Sequence, residues 1–249
     1  GEFNVAIGVN AMRKNNNNNN IAIGWNALQN NSTGEQNVAI GSNALSQVDI
    51  GNNNIAIGYT AMQYMTQNTG SSSPASNIGI GFQSLLYRRG SGNVGIGSQS
   101  LQGNSANQTL NTGQYNTAIG DNSLANLESG NDNVAVGQES LDSCTSGSTN
   151  VAVGVQALYS QTNSSSNTGV GWQALYSNTG GDNTAIGAQA LRNNTTGGLN
   201  TAVGFSSLNK GGSNCTAVGA NALLNNIATD NVAVGLSSLK ENKLIVATH

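Results

Sequence analysis

The sequence predicts an all-β fold, a parallel β-solenoid of about fourteen coils of 16–17 residues, and three observations predict it. The pattern Asn-x-(Ala/Gly)-(Ile/Val)-Gly-x-x-(Ala/Ser)-(Leu/Met) recurs fourteen times between Asn4 and Leu239, with Cys215 in place of the Asn in one copy. Its glycines are spaced 16, 17, 17, 23, 16, 23, 17, 17, 17, 16, 17, 15 and 16 residues apart, from Gly8 to Gly235. The segments between copies are rich in Asn, Ser, Thr and Gly, the residues of turns. Helical repeats run to roughly 30 residues or more per unit, and these units carry a glycine at their centre. A helical solenoid is excluded on both counts.

Each position of the repeat has a physical reading. The residues three before and one before the glycine, such as Val38 and Ile40, are two apart and share one face of a strand. They are expected to face the core. The residue between them is always Ala or Gly, which implies that something packs closely on the opposite face. The glycine ends the strand, through a positive φ or a neighbouring coil too near for a Cβ. A second short strand is expected to follow, as in Trp25-Asn26-Ala27-Leu28, its Leu rejoining the core. Asn stands four before the glycine in every copy but one, where Cys215 replaces it. Such a column can hydrogen-bond from coil to coil. One unit is too small to bury a core, so the coils must stack. At ~4.8 Å per coil, fourteen would extend about 65 Å. The repeats are expected to form a single domain over 4–239, with 240–249 ending them and Leu244-Ile245-Val246-Ala247 opening a neck or a further module.

The phrases Asn37-Val38-Ala39-Ile40-Gly41 and Asn183-Thr184-Ala185-Ile186-Gly187 resemble the head repeats of YadA-like trimeric autotransporter adhesins. They are also similar to the N-T-A-I-G-x-x-A-L repeats of phage and bacterial tail-fibre-like proteins. The resemblance runs from Asn4 to about Leu239. It implies a left-handed parallel β-roll in which three chains associate side by side, with the Ala or Gly two before each glycine fitting a close contact between them, hence a homotrimer, extracellular, on a cell surface or a virion. The adhesin head repeat is shorter, near fourteen residues, and lacks the constant Ala-Leu pair, so the tail-fibre form fits better.

Composition narrows the function classes. Charged residues make up 8% of the chain and the formal net charge is −3. No basic run exceeds Arg13-Lys14 or Arg88-Arg89, which argues against nucleic acid as a partner. No stretch approaches the ~20 apolar residues of a membrane-spanning helix. Gly1-Glu2-Phe3 reads as a cloning remnant, so the chain is expected to be a piece of a longer protein. Cys144 and Cys215, in different phases of the repeat and several repeats apart, are expected to be free thiols. The sole histidine is His249, which leaves no triad and no histidine metal site. Carboxylates are scattered, the calcium-roll pattern G-G-x-G-x-D is missing, and the glycines precede neither a helix nor G-K-(S/T). No enzyme activity, cofactor or metal is expected.

Binding is expected where regularity breaks. Two units carry six extra residues, around 66–76 and 102–115, and loops on a rigid scaffold are where recognition tends to sit. The position after the glycine varies most. Its aromatic members, Trp25, Tyr59, Phe82, Trp172 and Phe205, offer apolar planes to sugar rings or fill grooves between chains. Tyr87-Arg88-Arg89 is the densest group of cation and aromatic side chains and a candidate for an anionic glycan. The function expected is a structural and adhesive segment of a trimeric fibre, presenting surfaces to cell-surface glycans or proteins. The alternatives are a passive spacer and an ice-binding solenoid. The last draws on Thr117, Thr168, Thr184, Thr201 and Thr216, which share one position, though one on the face expected to be the core.

Overall fold

Every repeat of the computed structural model contributes one three-residue parallel strand at the predicted place. The structure describes residues 1–15, 17–47, 51–65, 74–106 and 110–240. The chain forms two compact units, Gly1–Asn133 and Val134–His249. The first holds β1 (Val5–Ile7), β2 (Ile21–Ile23), β3 (Val38–Ile40), β4 (Ile55–Ile57), β5 (Ile78–Ile80), β6 (Val94–Ile96) and β7 (Thr117–Ile119). The second holds β8 (Val134–Val136), β9 (Val151–Val153), β10 (Thr168–Val170), β11 (Thr184–Ile186), β12 (Thr201–Val203), β13 (Thr216–Val218) and β14 (Val232–Val234). Within each unit, every strand pairs with the next in sequence, in parallel. Equivalent repeat positions face each other, as in Thr184↔Thr201 and Ile186↔Val203. Each unit is therefore a parallel β-solenoid with about one coil per 17 residues.

Backbone groups are satisfied by the coils on either side in alternation. In the coil of β9, Val151 N donates to Asn167 O (2.8 Å), Gly154 N to Val136 O (2.8 Å), Gln156 N to Gln138 O (2.9 Å) and Leu158 N to Ala174 O (2.9 Å). The segment after the glycine is thus paired from coil to coil, but it is a chain of turns and not the second strand the sequence suggested. The second and fourth residues after the glycine are left-handed, as at Gln156 (φ 56°) and Leu158 (φ 54°), and a run alternating in and out of that region cannot be an extended strand. The glycine satisfies both proposed reasons for its presence. Gly154 has φ +135°, and a Cβ there would lie 2.6 Å from Gly171 O of the next coil.

The expected inside and outside of the strands are reversed. Ala22, Ala39, Ala118, Ala152, Ala185 and Ala202, all small central residues, are fully buried, as is the Leu or Met four after the glycine in every coil from Leu28 to Leu223. The interior is too narrow for anything larger than Ala beside those leucines. A Cβ on Gly79 would already sit 3.1 Å from Met62 Cγ and 3.2 Å from Leu85 Cδ1. The Ile, Val and Thr residues flanking the small one point outward and are half-buried to exposed, for example Ile119, Val153 and Ile186. All 28 of these positions are β-branched, so each unit carries two stiff ranks of such side chains on its outer sheet face.

The interior is completed by the asparagine column. In the first unit, Asn37, Asn54, Asn77, Asn93, Asn116 and Asn133 are buried, each backbone N–H donating to the side-chain oxygen of the asparagine one coil earlier at 2.9–3.0 Å. Asn167, Asn183, Asn200 and Cys215 continue the pattern in the second unit at 3.0–3.1 Å. The predicted amide ladder is present, and it lies inside.

Both cysteines are free and buried. Burial pushes the Cys144 thiol up to about 11 from an ordinary 9.0. The folded state therefore holds a proton that the unfolded chain releases above pH 9. Stability from this group is complete below pH 9 and lost as pH rises through 11. The loss is expected to reach about 3 kcal/mol. Thermal unfolding of the native chain and of Cys144→Val at pH 8 and pH 11 checks this. At pH 11, midway through the folded-state titration, the variant should have lost less stability than the native chain by about 2 kcal/mol.

Candidate binding surface

The five aromatic residues after the glycines are all at the surface, 47% to 54% exposed. They do not converge on one site. Tyr59 and Phe82 stack on adjacent coils, ring centroids 5.8 Å apart and planes within 7°. Trp25 is followed on the next coil by Ser42, and Ala188 separates the coils of Trp172 and Phe205. The Tyr59 and Phe82 rings are turned along the direction of coil stacking, so each spends one face on the other.

The Tyr87-Arg88-Arg89 group needs a correction. Tyr87 stacks on Tyr64 (5.4 Å, 10°) and Arg89 is half-buried, but Arg88 is fully buried. Its guanidinium donates to the carbonyls of Leu127 (2.5 Å), Gly113 (3.1 Å) and Glu128 (3.4 Å). Arg88 therefore cannot meet an anionic ligand outside. It occupies the inward position seven residues after the glycine, where other coils place Asn31, Met65, Leu127 or Gln161. Burial alone pushes its basicity down to about 10.

The 102–115 insertion is described except for 107–109. It is closed at its base by a reciprocal pair, Asn104 N donating to Asn111 Oδ1 and Asn111 Nδ2 to Asn104 O, both at 3.0 Å. Of the 66–76 insertion only 74–76 is described, with Pro74 O accepting from Asn54 Nδ2 (3.2 Å). The expected strand at Leu244–Ala247 lies outside the described residues.

One surface arrangement is not evident from the linear sequence. On the face that follows the strand face, side chains two and five residues after the glycine form parallel columns. In the second unit, Gln156 Nε2 donates to Glu139 Oε2, Gln173 Nε2 to Gln156 Oε1, and Arg192 Nε to Gln173 Oε1, each at 2.8 Å. Beside them Tyr159 and Tyr176 stack at 5.1 Å and 7°, and the Arg192 guanidinium lies 5.4 Å from the Tyr176 ring centre. Asp142 precedes Tyr159 in the same column. Desolvation, then the nearby Glu139 charge, raises the Asp142 carboxyl above its usual range, and the Asp142 charge in turn raises the Tyr159 phenol. The signal was Tyr159, Tyr176 and Arg192 holding one repeat position in three successive copies.

Among the described residues no group of three or more His, Cys, Asp and Glu side chains is placed to hold a metal ion. No helix among them is long and apolar enough to cross a membrane. No protein-family model matches the chain, and no curated protein matches it.

Proposed function

We propose that the chain is a segment of a trimeric, extracellular fibre of the adhesin or tail-fibre kind, which presents binding surfaces to glycans or proteins of a target cell. The observation that carries this reading is the outward pair of β-branched ranks. Parallel sheets are ordinarily covered on both faces, and here one face of each sheet is left with Ile, Val and Thr in water. Side-by-side association of three chains would bury these ranks. It would also present each weak surface site three times, so that avidity replaces affinity. This moves the expected contact between chains from the small residues to the branched ones.

Light scattering at several dilutions tests it. The expected mass is three times the 25.2 kDa of one chain, falling to that of one chain when Ile186→Asp and Val203→Asp place charges in the ranks. A monomeric native chain at every dilution would sink the trimer.

A second reading, ice binding, gains from the same reversal. The sequence places Thr117, Thr168, Thr184, Thr201 and Thr216 on the expected core face, which argues against it, yet they lie on the outer face of their sheets. None of their hydroxyls has a partner within the described chain. Water held by regularly spaced hydroxyls and methyls is the basis of that reading, and it requires the face to stay open. Thermal hysteresis in a monomeric preparation would favour it over the fibre.

A further inference from the structure

We propose that the strip formed by Glu139, Gln156, Gln173, Arg192, Tyr159 and Tyr176 is a binding surface for neutral glycans. It rests on the adhesive reading above and gives that reading a place and a ligand class. The strip is ordered before any ligand arrives. Three 2.8 Å hydrogen bonds tie Glu139, Gln156, Gln173 and Arg192 in series, and stacking fixes the two tyrosines against each other and under Arg192. Long polar side chains normally lose rotamer freedom on binding, at a cost to affinity. Here the fold has already met it.

Ordering has not exhausted the polar groups. The ladder uses one N–H of each glutamine amide and one lone pair of its oxygen, leaving a second donor and a second acceptor. The Tyr159 and Tyr176 hydroxyls have no partner within the described chain. All six side chains are neither buried nor wholly exposed. The result is a row of fixed donors and acceptors repeating from coil to coil.

The chemistry selects the partner. A protein interface needs an apolar or aromatic anchor entering a desolvated pocket. The strip offers none, since Tyr176 lies between Tyr159 and Arg192 along the stack and Tyr159 gives one face to Tyr176. An anionic polymer would gain Arg192 at one end but meet Glu139 and Asp142 at the other. A neutral glycan, dense in hydroxyls that both donate and accept, matches repeated amides and phenols without opposing any charge. Recognition is by hydrogen bonds along the strip and not by sugar–ring stacking.

The test uses the full chain on an array of neutral, sialylated and sulfated oligosaccharides, beside the double variant Tyr159→Phe/Tyr176→Phe. The variant keeps the ring stack and removes only the hydroxyls, so its melting temperature should equal that of the native chain. Native chain retained on neutral glycans, with binding weakened roughly tenfold or more by the double variant, is the expected result. Neutral-glycan binding that is unchanged in the variant overturns the strip and leaves the adhesive reading standing. Retention only on acidic glycans does the same. No retention on any glycan overturns the strip and favours the passive spacer over glycan adhesion.

Discussion

Asn183→Leu is expected to lower the melting temperature by about 12 °C, on a loss of about 4 kcal/mol. The Asn183 side chain makes four hydrogen bonds in the interior. Nδ2 donates to Gly197 O (2.9 Å) and Asn178 Oδ1 (3.2 Å), and Oδ1 accepts from Asn200 N (3.1 Å) and Asn200 Nδ2 (3.0 Å). These losses are not equal. Gly197 O and Asn178 Oδ1 keep a second donor, Asn194 Nδ2, at 2.8 Å and 2.9 Å. The Asn200 backbone N–H has no such replacement. It would be left buried and unpaired, which costs about 1–3 kcal/mol by itself. The apolar side chain recovers part of the total through burial. Asn193→Leu, at an exposed asparagine, should change stability by less than about 1 kcal/mol. Differential scanning calorimetry of both variants distinguishes a buried ladder from an asparagine-rich surface, and equal melting temperatures would contradict the ladder.

The strand positions and the turning glycine were legible because each is a local property repeated fourteen times, and the asparagine column because it recurs in thirteen of those copies. Which strand face is inner was not. A period of two says that Val38 and Ile40 share a face and that Ala39 takes the other, but both faces are apolar here, and hydrophobicity alone favours the larger residues for the core. Interior width decides the matter. The Leu four residues after the glycine fills the coil, leaving room on the strand only for Ala or Gly. Thr168, Thr184, Thr201 and Thr216 were the available hint, because a core rank seldom carries four successive hydroxyls without partners.

The surface was only partly legible for a related reason. Reading along the chain picks out conspicuous single residues, and it found Trp25, Tyr59, Phe82, Trp172 and Phe205, all of which are exposed. Stacking makes neighbours of residues some 17 apart, so chemistry accumulates down the columns. Glu139, Gln156 and Gln173 look unremarkable in sequence and become a connected row only when the coils are superposed. The same logic misplaced Arg88. Beside Tyr87 and Arg89 it reads as a basic surface cluster, whereas in its own column it stands with Met65, Leu127 and Gln161, every one of them buried.

Arg88 carries the other large effect, and two substitutions separate its parts. A fall in basicity from arginine's ordinary value to about 10 through burial means the charged form is disfavoured in the fold by about 3 kcal/mol relative to water. Desolvation is its one cause, with no carboxylate compensating. Against this stand the donated bonds to Leu127 O, Gly113 O and Glu128 O, and the volume the long side chain fills. Gly113 O also accepts from Asn93 Nδ2 (3.0 Å), and Glu128 O from Gly113 N (2.9 Å). Leu127 O is therefore the carbonyl that depends on Arg88. Arg88→Ala removes bonds and volume together and is expected to lose about 4 kcal/mol. Arg88→Met keeps most of the volume and removes the buried charge, so it should fall within about 1 kcal/mol of the native chain. Melting curves of the two variants check this at pH 7, where the guanidinium is charged in both folded and unfolded states. A methionine variant as unstable as the alanine one would mean that the three donated bonds, and not the filling of the interior, hold the coils together around the 102–115 insertion.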